Sequence, residues 1–263
     1  MQATTKTNRV NGLAKERGLI MSNNTRRIEA YIGAMVLAAV LSTGYAISAS
    51  HALHPYYALA ILALAAVTSR MKVKLPGVNG NMSVNMPSLL LAVVNLSAAE
   101  AVAIACVSTM IQTWPKRDAK FKAQQMVFNV SMMAFATSVA SLIWHAGWMG
   151  RAAWASEPLM LGSATATFFL GQTAPVAGII KLTEGAALRR IWMSLAQLSF
   201  PYYVVSAGMA SMVNTVSHHA GWQLALAVFP VMFGIHRSYM RYFEHTAGSA
   251  DRSLQAHSAR AGA

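Results

Sequence analysis

Charge is what this sequence has least of. Asp, Glu, Lys and Arg make up 11% of its 263 residues, against roughly 25% in soluble domains. Acids are the rarest of these, eight in all, and none lies near the middle of an expected span. A proton- or sodium-driven carrier usually needs a carboxylate or similar group inside the membrane, so that class is disfavoured. The one cysteine, Cys106, lies within an apolar run, which excludes a disulfide framework and a cysteine-rich metal site. It reads as a small buried hydrophobe. No glycine-rich phosphate loop, zinc-spaced cluster or nucleophile–base pair is present. His51 and His54 lack a third ligand nearby, and with His218 and His219 they read as turn residues. The 17 methionines are scattered and form no ligand ladder. No metal and no cofactor is therefore expected.

What the chain does have is apolar length. Hydrophobic residues make up 55%, and the mean hydropathy is +0.41. Three blocks are nearly or wholly uncharged: Ala30 to Ser69, Leu75 to Pro115 with Glu100 alone, and Ile191 to His236. One helical span takes about 20 residues, so each block holds two. Turn residues divide them at His51–Pro55, at Asn95–Glu100, where Glu100 at a helix amino end complements the macrodipole, and at Asn214–Gly221. Two further spans cover about Ala123–Trp144 and Pro158–Ile180.

The cations fix an orientation. A net charge of +13 would suggest nucleic acid in a soluble protein, but here the basic residues flank apolar runs with little aromatic interleaving. They read as topology signals, and nucleic acid is excluded as a partner. Eight spans with the amino end inside place 20 of the 21 Lys and Arg on the cytoplasmic side, leaving only Arg151 outside. The first 27 residues carry six of them, ahead of an apolar run longer than the 7–15 residues of a cleavable signal, which marks a retained first helix. The fold class is thus all-α: a polytopic helical bundle of about eight spans in a bacterial inner membrane, both ends inside. Residues 1–27 form a basic cytoplasmic tail, expected to be disordered, 28–245 the membrane domain and 246–263 a disordered tail.

The third element, Leu75–Leu91, departs from the rest. Pro76, Gly77, Gly80 and Pro87 discourage a regular helix, while Asn79, Asn81 and Asn85 bring amides to the edge of a bilayer. Two readings stand open: a broken helix facing a cavity, or a cytoplasmic loop followed by a short helix. Asn129 lies about two turns into the fifth span, where it is either helix-packing glue or a cavity lining. Gln172 and Pro175 suggest a kink or a polar patch in the sixth. With Gln197 and Tyr202 these residues are the candidate ligand-binding set, on one side of the proposed topology: Asn79, Asn81, Asn85, Asn129, Gln172, Gln197 and Tyr202. No catalytic residue is assigned.

Several stretches together carry a resemblance. They are Lys-Leu-Pro-Gly-Val-Asn-Gly-Asn-Met-Ser-Val-Asn (74–85), Val-Phe-Asn-Val-Ser (127–131), Pro-Tyr-Tyr-Val-Val-Ser-Ala-Gly-Met-Ala (201–210) and His-Arg-Ser-Tyr-Met-Arg-Tyr (236–242). The chain resembles, over about residues 28–243, the amino-terminal multi-helix membrane region of bacterial signalling proteins in which an HD-GYP phosphodiesterase or GGDEF cyclase domain follows. The resemblance implies a sensory or anchoring module feeding cyclic-di-GMP turnover. Here no catalytic domain follows Glu244, so the expectation is a non-enzymatic module signalling through a cytoplasmic partner. Where that family favours an asparagine in the sixth span, this chain has Gln172. A second similarity is to the small substrate-binding membrane subunits of vitamin importers, whose partner would be a cytoplasmic ATPase.

Overall fold

A computed structural model describes the backbone at residues 3–49, 53–74, 81–83, 85–115, 121–145 and 156–220 and at a few positions beyond; side chains are described from residue 24, except within 72–74, 81–83 and 216–220. The described chain is helical apart from one small ribbon. The helices are α1 (Ala3–Ser48), α2 (Pro55–Ser69), α3 (Met86–Asn95), α4 (Ala98–Thr113), α5 (Ala123–Trp144), α6 (Glu157–Glu184) and α7 (Leu188–Ala220). Strands β1 (Lys72–Lys74) and β2 (Asn81–Ser83) pair antiparallel, with Lys72 opposite Ser83 and Lys74 opposite Asn81.

Helix α5 coincides with the span expected from its apolar run. Helix α1 differs from expectation, because it continues back through the basic segment to Ala3 instead of beginning near Ile28. Between Ala3 and Glu29 the chain has no proline, so nothing in the backbone chemistry stops the helix there. The expected eighth span, Trp222–His236, falls largely outside the described residues. Among the described residues, two helical stretches are long and apolar enough to cross a membrane: Asn24–Ser48 of α1, and α5. On α1, Leu37, Val40, Leu41 and Tyr45 recur at helical spacing and are all exposed, which leaves an uncovered apolar stripe.

The third element is a ribbon followed by a short helix. Helix α3 has ten residues and is about 15 Å long, half of a hydrocarbon core of about 30 Å. Yet every residue from Met86 to Val93 is buried, because α2, α4, α5 and α7 all pack around it. Leu89, Leu90 and Val93 form the centre of the main core with Phe168 of α6. Aromatic edges close the α6–α7 side: Phe169 meets Tyr203 and Phe200 edge-on, with ring centroids 5.2 and 6.0 Å apart.

Helix α5 is the hub, packed on α1, α4 and α6. Small residues make those approaches possible. A methyl group at Gly171 of α6 would lie 3.0 Å from the Ala136 Cβ of α5. One at Gly178 would overlap the Tyr31 hydroxyl of α1. That hydroxyl donates to the Pro175 carbonyl at 3.2 Å, and its ring packs on Phe128 with centroids 6.2 Å apart, so it has little room to retreat. Gly178→Ala should therefore destabilise the protein by about 1–3 kcal/mol, despite the better helix propensity of alanine. In a Tyr31→Leu background the same change should cost clearly less. Thermal unfolding of the four proteins in detergent measures both effects; equal costs in the two backgrounds would show that α1 and α6 do not meet there.

Candidate functional site

A helix that begins inside a bundle exposes N–H groups with no helical partner. Helix α3 meets this demand from both its own sequence and α7. Pro87, next to the first helical residue, has no N–H to satisfy. The Met86 N–H donates to the Tyr202 hydroxyl at 3.1 Å, in the core. Asn85, at the N-cap position, makes no capping bond through its side chain. It is 4% exposed, and its amide nitrogen has no partner among the described residues. Burying an amide unpaired is costly, so this donor is available to something else.

Gln172 approaches the same point from α6. Its amide nitrogen faces the Met133 sulfur at 3.4 Å and the Met86 sulfur at 3.8 Å. Thioethers are weak acceptors, so this donor too is poorly satisfied. Three of the seven candidates from the sequence, Asn85, Gln172 and Tyr202, thus gather around Met86. Asn129 stands one turn before Met133 on α5 and is half-buried. Gln197 is exposed on α7 and does not join them. Asn81 sits in β2, paired through its backbone, and Asn79 lies outside the described residues. Sequence reasoning missed Met86 and Met133, since an apolar thioether inside an apolar run carries no signal of its own.

The carboxyl end of α3 is satisfied in the same way. Trp144 of α5 donates its indole N–H to the Val94 carbonyl at 3.1 Å, and the Asn95 amide donates to the Leu91 carbonyl at 3.1 Å. The chain then turns into α4 through a capping box. The Glu100 N–H donates to the Ser97 hydroxyl at 3.3 Å, and the Ser97 N–H donates to the Glu100 carboxylate at 3.1 Å. The same carboxylate accepts the His54 N–H at 2.6 Å, just ahead of α2. One acidic side chain therefore serves two helix amino ends, which agrees with the macrodipole role expected of it. Partial burial pushes its pKa up, but the bonds from Ser97 and the His54 backbone, with the His54 ring nearby, outweigh this and hold the carboxyl below its ordinary value.

Among the described residues no group of three His, Cys, Asp or Glu comes together to hold a metal ion. Compared with protein-family models, with curated proteins and with solved structures, the chain finds no match.

Two outcomes test this geometry. Tyr202→Phe strands the Met86 N–H in the core and should cost about 1–3 kcal/mol in thermal or denaturant unfolding, whereas Gln197→Ala on the exposed face should change little. Glu100→Gln should cost on the order of 1 kcal/mol at pH 7. Because the folded-state pKa of Glu100 is lowered, its stabilisation is present above the ordinary carboxylate value of about 4.3 and is lost as pH falls through the folded value. The gap between wild type and variant should therefore close in acid; a constant gap across pH would assign the effect to shape alone.

Proposed function

We propose that this protein is a multi-pass protein of a bacterial inner membrane whose helical bundle binds a small molecule and passes that event to a cytoplasmic partner, without catalysis of its own. In this reading the lipid bilayer covers the exposed apolar stripe of α1. The two ends of the chain lie in the cytoplasm, and eight spans separate them, as the distribution of Lys and Arg favours.

The observation that carries the binding role is the pair of underused amide donors at the head of α3. Asn85 offers an unpartnered N–H inside the core, and Gln172 places its own on sulfur. With the amino end of a helix beside them, they favour a ligand group that accepts hydrogen bonds, such as a carbonyl or a carboxylate. A second reading, the substrate-binding subunit of an importer of vitamin type, draws on the same helix. Broken helices whose amino ends stop in the bundle core hold anionic substrate groups in several transporters. The neighbouring genes separate the two: a cyclase or kinase favours sensing, and a paired ATPase favours import.

Native mass spectrometry of protein purified from its own membrane should detect a retained small molecule. Asn85→Leu and Gln172→Leu should each abolish its retention, and Asn129→Leu should weaken it. Unchanged retention in all three variants would remove the site. A reporter active only in the periplasm, fused in turn to each end, should stay silent; a signal from either end would overturn the orientation.

A further inference from the structure

At the end of α3 away from Met86 the bundle holds a cavity of about 310 Å³. Its walls are the last turns of α1 and α5, the α3–α4 corner from Val94 to Ala98, and His54 ahead of α2. This volume lies at the lower edge of the ~300–1,000 Å³ range of small-molecule pockets. Most of the lining is apolar, and Ser141, Asn95, His145 and His54 are its polar groups apart from the capping serine, Ser97.

Ser141 is the unusual one. It is fully buried, lines the cavity, and its hydroxyl has no partner among the described residues. Most other buried serines and threonines of the helices bond back to a carbonyl of the preceding turn. Thr137 and Ser138, one turn earlier on α5, do so at 2.8 and 2.7 Å, and Ser199 and Ser206 of α7 at 2.6 and 2.7 Å. Ser141 stays off this ladder. Its own carbonyl is taken by His145, whose Nδ1 lies 2.9 Å away. A carbonyl only accepts, so Nδ1 carries a proton, and a ring with that one proton offers Nε2 as an acceptor. The Asn95 amide nitrogen is engaged with Leu91, which leaves its oxygen as a further acceptor.

We infer that this cavity is a second binding site, for a small uncharged molecule with an apolar body and one hydroxyl, of the kind of a short or aromatic alcohol. The Ser141 hydroxyl can both donate and accept, the Asn95 oxygen accepts, and the His145 and His54 rings add nitrogens that hydrogen-bond, so together these groups match a ligand hydroxyl. Charge is unwelcome there. Among the described residues the lining holds no carboxylate, Lys or Arg, and the nearby Glu100 carboxylate is engaged by Ser97 and His54. In the proposed orientation this mouth faces the periplasm, so the site samples the outside while the Met86 cluster lies deeper.

Fluorine NMR on the full-length protein in nanodiscs tests the site, with 4-fluorobenzyl alcohol as probe and 4-fluorotoluene as its counterpart without the hydroxyl. The wild type should bind the alcohol saturably and about fivefold or more tighter than the toluene. Ser141→Ala removes an unpaired hydroxyl and leaves the fold intact; it should erase that preference. Ala49→Trp, at an exposed position on the rim, should block saturable binding of both. The site is overturned if the wild type shows no saturable binding or no preference, if Ser141→Ala keeps the preference, or if binding survives Ala49→Trp.

Discussion

A peptide group without a hydrogen-bond partner is the most expensive thing a protein can place where water does not reach. Helix α3 would do this at both ends, because it is too short to carry its termini out of the bundle. The rest of the structure answers that problem. Tyr202 reaches in from α7 for the Met86 N–H, and Trp144 from α5 for the Val94 carbonyl. Each lies on a different helix, so the two bonds fix α3 in depth as well as in position. The four helices around it supply the apolar walls.

From that arrangement follows a division of the polar chemistry. At the head of α3 the free groups are donors, the amides of Asn85 and Gln172. At its foot they are mostly acceptors, around Ser141 and His145. Glu100 borders the second region but is consumed by capping, since it ties the starts of α2 and α4 together. Its charge is therefore part of the frame and not of either proposed site. The two regions lie at opposite ends of one helix, α3.

Much of the helical framework was legible in the apolar blocks. The bounds of α5 follow from where its apolar run begins and ends, and the start of α6 from the break at Glu157. Helix α6 runs past the expected Ile180 to Gly185, whose left-handed conformation (φ 70°) suits a helix stop. Helix α7 stays helical to Ala220, straight through the turn expected at Asn214–Gly221, since no proline or glycine interrupts residues 214–220. The turn formers of Leu75–Leu91 signalled an interruption, but not that it would be a ribbon feeding a helix buried on all sides. Burial on every face leaves no periodicity to read. For the candidate site, Asn85, Gln172 and Tyr202 stood out as amides or a phenol inside apolar runs. Gln197 has the same appearance in sequence and is exposed, because α7 turns that face away from its neighbours. The pairing of Trp144 with Val94 spans 50 residues, and no local pattern announces it. Ser141 differs from Thr137 and Ser138 only in where its hydroxyl points, which depends on the packing and not on the residue.

Enclosure of α3 also bears on how the protein would respond to its surroundings. Helices that face lipid adjust to a thicker or thinner bilayer by tilting, and in the proposed membrane reading α1, with its uncovered apolar stripe, would be one of them. Helix α3 meets only protein from Met86 to Val93, so hydrophobic mismatch reaches it second-hand, through its neighbours. Under the proposed membrane reading, the groups it positions at either end would keep their spacing across bilayers of different thickness, and a solute bound there would be met by the same geometry in each.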